Sequence, residues 1–289
     1  MTTGIVIVNY NRGYLVQEIA LMFANYRCLN YIVIVDNCST DDSREVLKSI
    51  GHEKIKCLFP ERNEGYARGN NLGLKYLTEK GCDYCFVVNP DVYFEENVIQ
   101  TVVDYLVQNP NYAIVTCAQV DPLSRKPSCQ YGMRLYDTFW LHFLNYFNFF
   151  RHYYLLRKYY VYSYDSTNRE IIEIAEALGS FFGIRMEYFP EGNVLDEGTF
   201  LYWEEQLLGF KVKQMGYKIG FVSICIYEHR HTLYSATTND KSLKLFRYNL
   251  LSQRYLQKKY LHFNAVQKIM IRLAEKVAIV ERWLIKRIV

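Results

Sequence analysis

Residues 32–43, IVIVDNCSTDDS, decide how this chain is read. Ile32–Val35 is apolar at every position, not at alternate ones. That is the pattern of a strand buried on both faces, and such strands belong to parallel sheets. The run breaks into a polar turn, Asp36-Asn37-Cys38-Ser39-Thr40, and Asp41 and Asp42 stand where a following helix needs its N-cap, with Glu45 in the first turn. A buried strand that passes through a polar turn into a helix is half of a βαβ unit.

The same rhythm runs outward in both directions. Ile5–Val8, Lys56–Phe59, Tyr84–Val88 and Ala113–Cys117 read as further strands, and helical spacing fills about 14–25, 41–50, 66–79 and 95–108. The expected fold is α/β, with a mostly parallel Rossmann-like sheet between helices and ligands bound beyond the carboxyl ends of its strands. After Asp121 the alternation stops. Residues 131–164 are crowded with aromatics and read as an amphipathic helical insertion packed on the body. A strand at GSFFGIR (179–185), a helix over 199–216 stopped by Gly216, a strand at KIGFV (218–222) and two tail helices complete the chain. The expected division is a body of 1–235, with halves 1–121 and 122–235, and a helical tail of 236–289.

Composition narrows the class. The chain has 289 residues, half of them apolar and 22% charged, which suits a folded globular protein of one large domain or two small ones. No apolar run approaches the ~18–20 residues of a membrane span, and MTTGIVIVNYNR lacks the charge and length of a signal peptide. Eight scattered Cys with one close pair, Cys82 and Cys85, support neither a zinc site nor a disulfide framework, so a reducing, cytoplasmic setting is expected.

The strand ends carry the chemistry. Asn9-Tyr10-Asn11-Arg12, Asp36-Asn37, the stretch Glu61–Asn71 with Arg68, and Asn89-Pro90-Asp91 all fall at one edge of the expected sheet. One Asn or Asp after a strand is ordinary turn chemistry. Four such clusters along one edge describe a polar crevice with an acid for a base or ribose, donors for phosphate oxygens and a second acid for a metal. There is no GxGxxG after the first strand and no GxxxxGK[ST], which disfavours a dinucleotide site and a P-loop.

IVIVNYNR (5–12), VIVDNCSTDDS (33–43), ERNEGYARGNNLGL (61–74) and VVNPDV (87–92), in this order, resemble the nucleotide-binding half of a family 2 glycosyltransferase of the GT-A fold. GSFFGIR, LYWEEQLLGFKVKQMGY (201–217) and EHRHTLYS (228–235) are similar to acceptor-side motifs of its rhamnosyltransferase-like, capsule and O-antigen branches. The resemblance implies a UDP- or dTDP-sugar donor and a glycan acceptor, lipid-linked and destined for surface polysaccharide. It implies that Asp36 binds the base, that Asn9 and Asn11 line the base and ribose pocket, and that Arg68 and Asn89 lie near the nucleotide and diphosphate. Asp91 is then the acid for Mg²⁺ or Mn²⁺, in a triplet with one charged position where the family usually shows two. His229 falls where relatives place a histidine beside the metal, with His231 as the second choice.

A leaving nucleoside diphosphate gathers negative charge, which a divalent cation stabilises, and the acceptor hydroxyl needs a general base on the opposite face. Glu205 is the expected base and Glu204 its neighbour, at a helix start that also favours carboxylates for their charge alone. One in-line displacement inverts the anomeric centre. A nucleotidyltransferase would carry a Gly-rich basic signature after the first strand, which is absent; in a non-catalytic sugar-nucleotide or glycan-binding subunit, Asp91, Glu204 and Glu205 would be dispensable.

From Lys241 to Val289 there are twelve Lys and Arg against two Glu, a net of +10 where the whole chain carries +4, so the first 240 residues are net acidic. Val266, Ile269, Met270, Leu273, Val277, Val280, Leu284 and Ile288 recur at helical spacing within that tail. Peripheral contact with an anionic membrane at its inner face is one reading, and packing on the body or in a homodimer is the other. No nucleic-acid motif accompanies the charge.

Overall fold

The structure, a computed structural model, describes residues 1–123, 169–230 and 243–288, together with 127–128, 135, 137–147, 150 and 167. Most of the aromatic insertion, and His231 with it, lies outside the described residues. Ten strands form one sheet: β1 (Thr3–Asn9), β2 (Tyr31–Asp36), β3 (Ile55–Leu58), β4 (Tyr84–Val88), β5 (Val92–Tyr93), β6 (Tyr112–Val120), β7 (Pro127–Ser128), β8 (Ile172–Ile174), β9 (Phe181–Arg185) and β10 (Lys218–His229). Their order is β3-β2-β1-β4-β9-β6-β10-β5, with β7 on β6 and β8 on β10. The helices are α1 (Gly13–Ala24), α2 (Ser43–Lys48), α3 (Tyr66–Glu79), α4 (Glu96–Gln108), α5 (Phe139–Asn145), α6 (Glu204–Gln214), α7 (Leu243–Tyr260) and α8 (Ala265–Ile288).

The block β3-β2-β1-β4 is parallel throughout, as the continuous apolar runs predict. Its residues alternate between two cores. Ile5, Ile7, Ile32 and Ile34 pack beneath α1 in a core that α4 continues over β6, β9 and β10, while Val6, Val33 and Val35 pack beneath α3 in a core that α6 continues over β10. Burying each such side chain contributes about 1.5–3 kcal/mol, and a slip of one residue would exchange the two faces. One strand inside the sheet departs from the parallel arrangement: β9 runs antiparallel between β4 and β6. The chain reaches β9 from the long insertion, not through a βα crossover, so nothing dictates a parallel return.

Three departures in extent from the sequence expectation have a local cause or reach the site. α2 begins at Ser43 because the Asp41 side chain accepts a 3.0 Å bond from the Ser43 amide, an Asx turn that uses the expected cap outside the helix. The helix expected over 199–216 begins only at Glu204, because Tyr202 (φ 74°) and Trp203 (φ 71°) adopt left-handed backbone; Gly216, φ 80°, follows its end. β10 runs on from the expected KIGFV to His229 through a register shift between Val222 and Ile226. That extension pairs His229 with Val92 of β5.

The tail is not a free appendage. On α7, Ser252 donates to the Leu201 carbonyl at 2.8 Å and Tyr248 stacks on Phe200. Tyr255 and Lys259 donate to Asp196 at 2.8 and 2.6 Å. α8 packs Ile271, Ala274 and Ala278 against Phe139 and Tyr146.

Candidate active site

The β1–β2 register sets Asn9 beside Asp36 at the carboxyl edge of the sheet. Both are buried, and Asn9 Nδ2 donates to Asp36 Oδ1 at 2.8 Å. Ser39 Oγ donates to the same oxygen and accepts from Asn9 at 3.1 Å. Asn11 holds left-handed backbone, φ 57°, a conformation Asn tolerates better than most residues. Its amide donates to Ser39 Oγ at 2.9 Å, and its side-chain oxygen accepts from the Thr40 amide at 2.8 Å. Asn9, Asn11 and Asp36 therefore form one hydrogen-bonded nest with the turn after β2.

Arg12 joins this nest to a second group. Its amide donates to Asn9 Oδ1 at 3.1 Å, and its guanidinium pairs with Asp91 Oδ2 at 3.1 Å. The other oxygen of Asp91 lies 3.1 Å from His229 Nε2. The Arg230 amide donates to the Asp91 carbonyl at 2.8 Å and pins the end of β10 to it.

His229 also lines a third space, a cavity of about 540 Å³. Asn89, Tyr66, Glu176, Tyr202, Trp203, Glu204, Glu205 and, from α7, Asn249 share its wall. Here the sheet edge faces three carboxyl groups. Burial pushes Glu176 up to about 8, and the charge of Glu205 adds to the shift while a 2.6 Å bond from Gln206 opposes it. Burial and then Glu205 push Glu204 to about 8 as well. Burial also raises Glu205, but its own amide and that of Gly179 bond to its carboxylate and hold it down. Glu204 likewise accepts from its own amide and from that of Tyr202, and the charge of Glu205 adds to burial in favouring the protonated form of Glu176 and Glu204. Among the described residues, Glu204 Oε1 is buried without a hydrogen-bond partner, and Glu204 lies in the cavity wall. Gly179 is needed beside this group, because a Cβ there would sit 2.8 Å from Glu205 Oε1.

Tyr202 and Trp203 precede the carboxyl pair in left-handed backbone, which costs about 1–3 kcal/mol per residue. Neighbours over-determine that strain. Ser252 holds Leu201, and the Trp203 ring stacks on buried His142 at 5.5 Å, itself within reach of Gln253 and Gln257 on α7.

The structure thus strings Asp36, Asn9, Arg12, Asp91 and His229 into one line of contacts that ends in the cavity holding Asn89, Glu204 and Glu205. Arg68 stands apart from that line. Its guanidinium pairs with Glu64 at 2.9 Å and lies 3.8 Å from Glu197, in a pocket of about 140 Å³ that Asn37 also lines. Asn71, from the same sequence motif, clamps Leu195 through two 2.9 Å bonds and so serves the fold. Sequence reading passed over Arg12 and Ser39, although both sit inside the quoted motifs. It also passed over Glu176, for which no local pattern exists.

Among the described residues no three His, Cys, Asp or Glu side chains gather around a metal position. Asp91 and His229 offer one carboxylate oxygen and one imidazole nitrogen, 3.1 Å apart. That spacing is close enough for both atoms to bind one divalent cation.

A family model described as glycosyl transferase family 2 matches residues 4–192. The low-salt glycan biosynthesis hexosyltransferase Agl10 of Haloferax volcanii is 24% identical over 223 residues, 75% of this chain and 63% of that protein. The dTDP-rhamnosyl transferase RfbF of Shigella flexneri is 30% identical over 91 residues, 32% of this chain and 30% of that protein. The chain's matches therefore span less than two thirds of either curated relative. Among solved structures, GalNAc-T7 with UDP, GalNAc and Mn²⁺ superposes with a TM-score of 0.56 at 17% identity, covering 80% of this chain and 44% of that one. S. aureus TarS 1-349 in complex with UDP-GlcNAc superposes at 0.53 and 14% identity, covering 94% and 70%. Identities this low speak for a shared fold.

Proposed function

The chain belongs to glycosyl transferase family 2 and carries the GT-A fold, and we propose on that premise that it transfers a sugar from a UDP- or dTDP-sugar to a hydroxyl of a glycan acceptor, inverting the anomeric centre. The observation that carries this reading is the unbroken line of contacts from Asp36 to the carboxyl-lined cavity along one sheet edge.

Asp36, Asn9 and Asn11 take the base and ribose. Arg12 reaches from the same turn to Asp91, where a guanidinium can follow a diphosphate. Asp91 and His229 would hold Mg²⁺ or Mn²⁺, which would supply positive charge to offset that gathering on the departing diphosphate. The acceptor lies in the cavity between Tyr202, Trp203 and the carboxyl cluster. Its hydroxyl oxygen attacks the anomeric carbon, the bond from that carbon to the diphosphate oxygen breaks, and Glu205 takes the hydroxyl proton. Glu205 suits the task because burial raises its pKa above that of an ordinary carboxyl, which makes it a better proton acceptor.

A lipid-linked acceptor in surface-polysaccharide synthesis fits the glycan-biosynthesis relative, and the seven described cysteines, all free, suit a reducing, cytoplasmic site. The test is turnover of UDP- and dTDP-sugars with Mg²⁺ or Mn²⁺ and a glycan acceptor, with the product's anomeric configuration read by NMR. A product that retains the donor's configuration rules out the single displacement. Full turnover by Glu205→Gln removes Glu205 as the base.

A further inference from the structure

α8 shows three different faces. Ile271, Ala274, Glu275 and Ala278 are buried against the body. Val266, Ile269, Leu273, Val277 and Val280 recur at three- and four-residue spacing, and each is more than half exposed. Beside that stripe runs a row of exposed cations, Lys268, Arg272 and Lys276, four residues apart. A soluble helix ordinarily gives its apolar stripe to the core; this one gives a second stripe to solvent. The stripe covers about 21 Å of helix, and no helix among the described residues is long and apolar enough to cross a membrane.

The cationic row also forms one wall of a groove of about 610 Å³ between α7 and α8. Arg254, Lys258 and His262 stand opposite. Buried Glu275 is engaged by Arg254 at 2.9 Å, and among the described residues Lys258, Lys268, Arg272 and Lys276 have no ion pair. Like charges spaced four apart repel along a helix, so the row destabilises α8 unless an anionic surface faces it. The hairpin that presents the groove is well fixed. Asn264 and Gln267 cap α8 reciprocally, with amide-to-side-chain bonds of 3.0 and 2.9 Å.

We propose that α8 lies on an anionic lipid bilayer, with the 266–280 stripe sunk into the interface and Lys258, Lys268, Arg272 and Lys276 on lipid phosphates. Charge complementarity selects this occupant. A second copy docked through the same face would bring like-charged rows alongside each other, whereas an acidic leaflet offers apolar depth and anions together. Each basic side chain near such a leaflet strengthens binding roughly fivefold. The net-acidic body is repelled by the same surface, so the tail meets it first. α7 runs from Lys258 in the groove to Asn249 in the cavity wall, about 14 Å along the helix, so docking would bring a membrane-held acceptor close to the carboxyl cluster. The docking stands whether or not the acceptor reading does.

The experiment is co-sedimentation of the full chain with vesicles of phosphatidylcholine alone or mixed with phosphatidylglycerol. Binding should appear with the anionic vesicles and weaken as salt rises. K268E/R272E/K276E should lower it by at least roughly 100-fold, and I269S/L273S/V277S should lower it on anionic vesicles at fixed salt. All six sites are exposed, so thermal unfolding and donor hydrolysis should be unchanged, and that control separates a docking defect from a folding defect. Equal binding to neutral and anionic vesicles, or binding untouched by either triple variant, overturns the proposal. So does a dimer in solution that the serine variant dissociates, since a second copy would then cover the stripe.

Discussion

Asp91 and His229 are 138 residues apart in sequence, yet their side chains meet at 3.1 Å. Two strands make the meeting possible. β5 is only Val92–Tyr93, and the far end of β10 runs antiparallel to it with His229 opposite Val92. The register fixes the backbone, and Arg12 closes the other side of the carboxylate at 3.1 Å. Asp91 is thus held between the Arg12 guanidinium and the His229 ring nitrogen.

If Asp91 and His229 are the cation site, Arg12 competes for it. Arg12→Ala should tighten Mn²⁺ binding to the donor-free protein by roughly tenfold, the scale of one charged hydrogen bond, while weakening UDP or dTDP binding. Asp91→Ala and His229→Ala should each abolish metal-stimulated nucleotide binding without unfolding the chain. Calorimetric titrations with and without Mn²⁺ measure both effects. Unchanged metal dependence in Asp91→Ala would refute the assignment.

Glu205→Gln keeps the shape and the amide contacts but cannot accept a proton. Its turnover should fall about 10²- to 10⁴-fold, the usual worth of a positioned base, with donor affinity unchanged. Glu204→Gln should cost less, because that group already holds a proton near neutrality. Single-turnover rates beside equilibrium donor binding separate the two roles.

How far these features could be read from the sequence depends on the distance over which each is determined. The strands from β1 to β4 and the helices between them follow from apolar spacing within a dozen residues, which puts Asp36 and Asp91 at strand ends; Glu205 stands out through the start of a later helix and the resemblance of the motif around it. Other features rest on remote contacts. Tyr202 and Trp203 leave the helical region because Ser252 and His142 hold the segment, and neither partner is local. Arg68 turns back to Glu64, just ahead of its own helix, and toward Glu197 across a loop, so its motif position alone could not say where its charge goes. Glu176 joins the carboxyl cluster through tertiary packing, from a stretch with no motif at all.

The buried carboxyl groups predict how stability varies with pH. Glu176 and Glu204 ionise near 4.5 when unfolded and near 8 when folded. Between those values the folded protein holds protons that the unfolded chain has released. Their contribution to stability is therefore full below about pH 4.5 and is lost as pH rises through about 8. The melting temperature should fall across that window. Glu176→Gln, whose amide oxygen can still accept from Gln206, should flatten the fall by several degrees at pH 8. Melting curves from pH 5 to 8 decide this; an unchanged slope in the variant would mean that Glu176 is not the titrating group.

Gly179→Ala tests whether the placement of Glu205, and not only its charge, matters. The new methyl would stand 2.8 Å from Glu205 Oε1 and 3.4 Å from Tyr66 Oη. The first contact is too close to keep, so the carboxylate must move. The site can absorb this without unfolding, because what gives way is a side-chain terminus beside a cavity and not the backbone. A displacement approaching 1 Å should lower turnover roughly 10- to 100-fold. Nucleotide binding at Asp36, Asn9 and Asn11 should be untouched, since none of those residues shares this contact. Restoring Gly should be the only change that recovers the rate, and Gly179→Ser should be at least as impaired as Gly179→Ala. A Gly179→Ala protein with normal turnover would show that the carboxylate at 205 acts from a position other than the one it holds here.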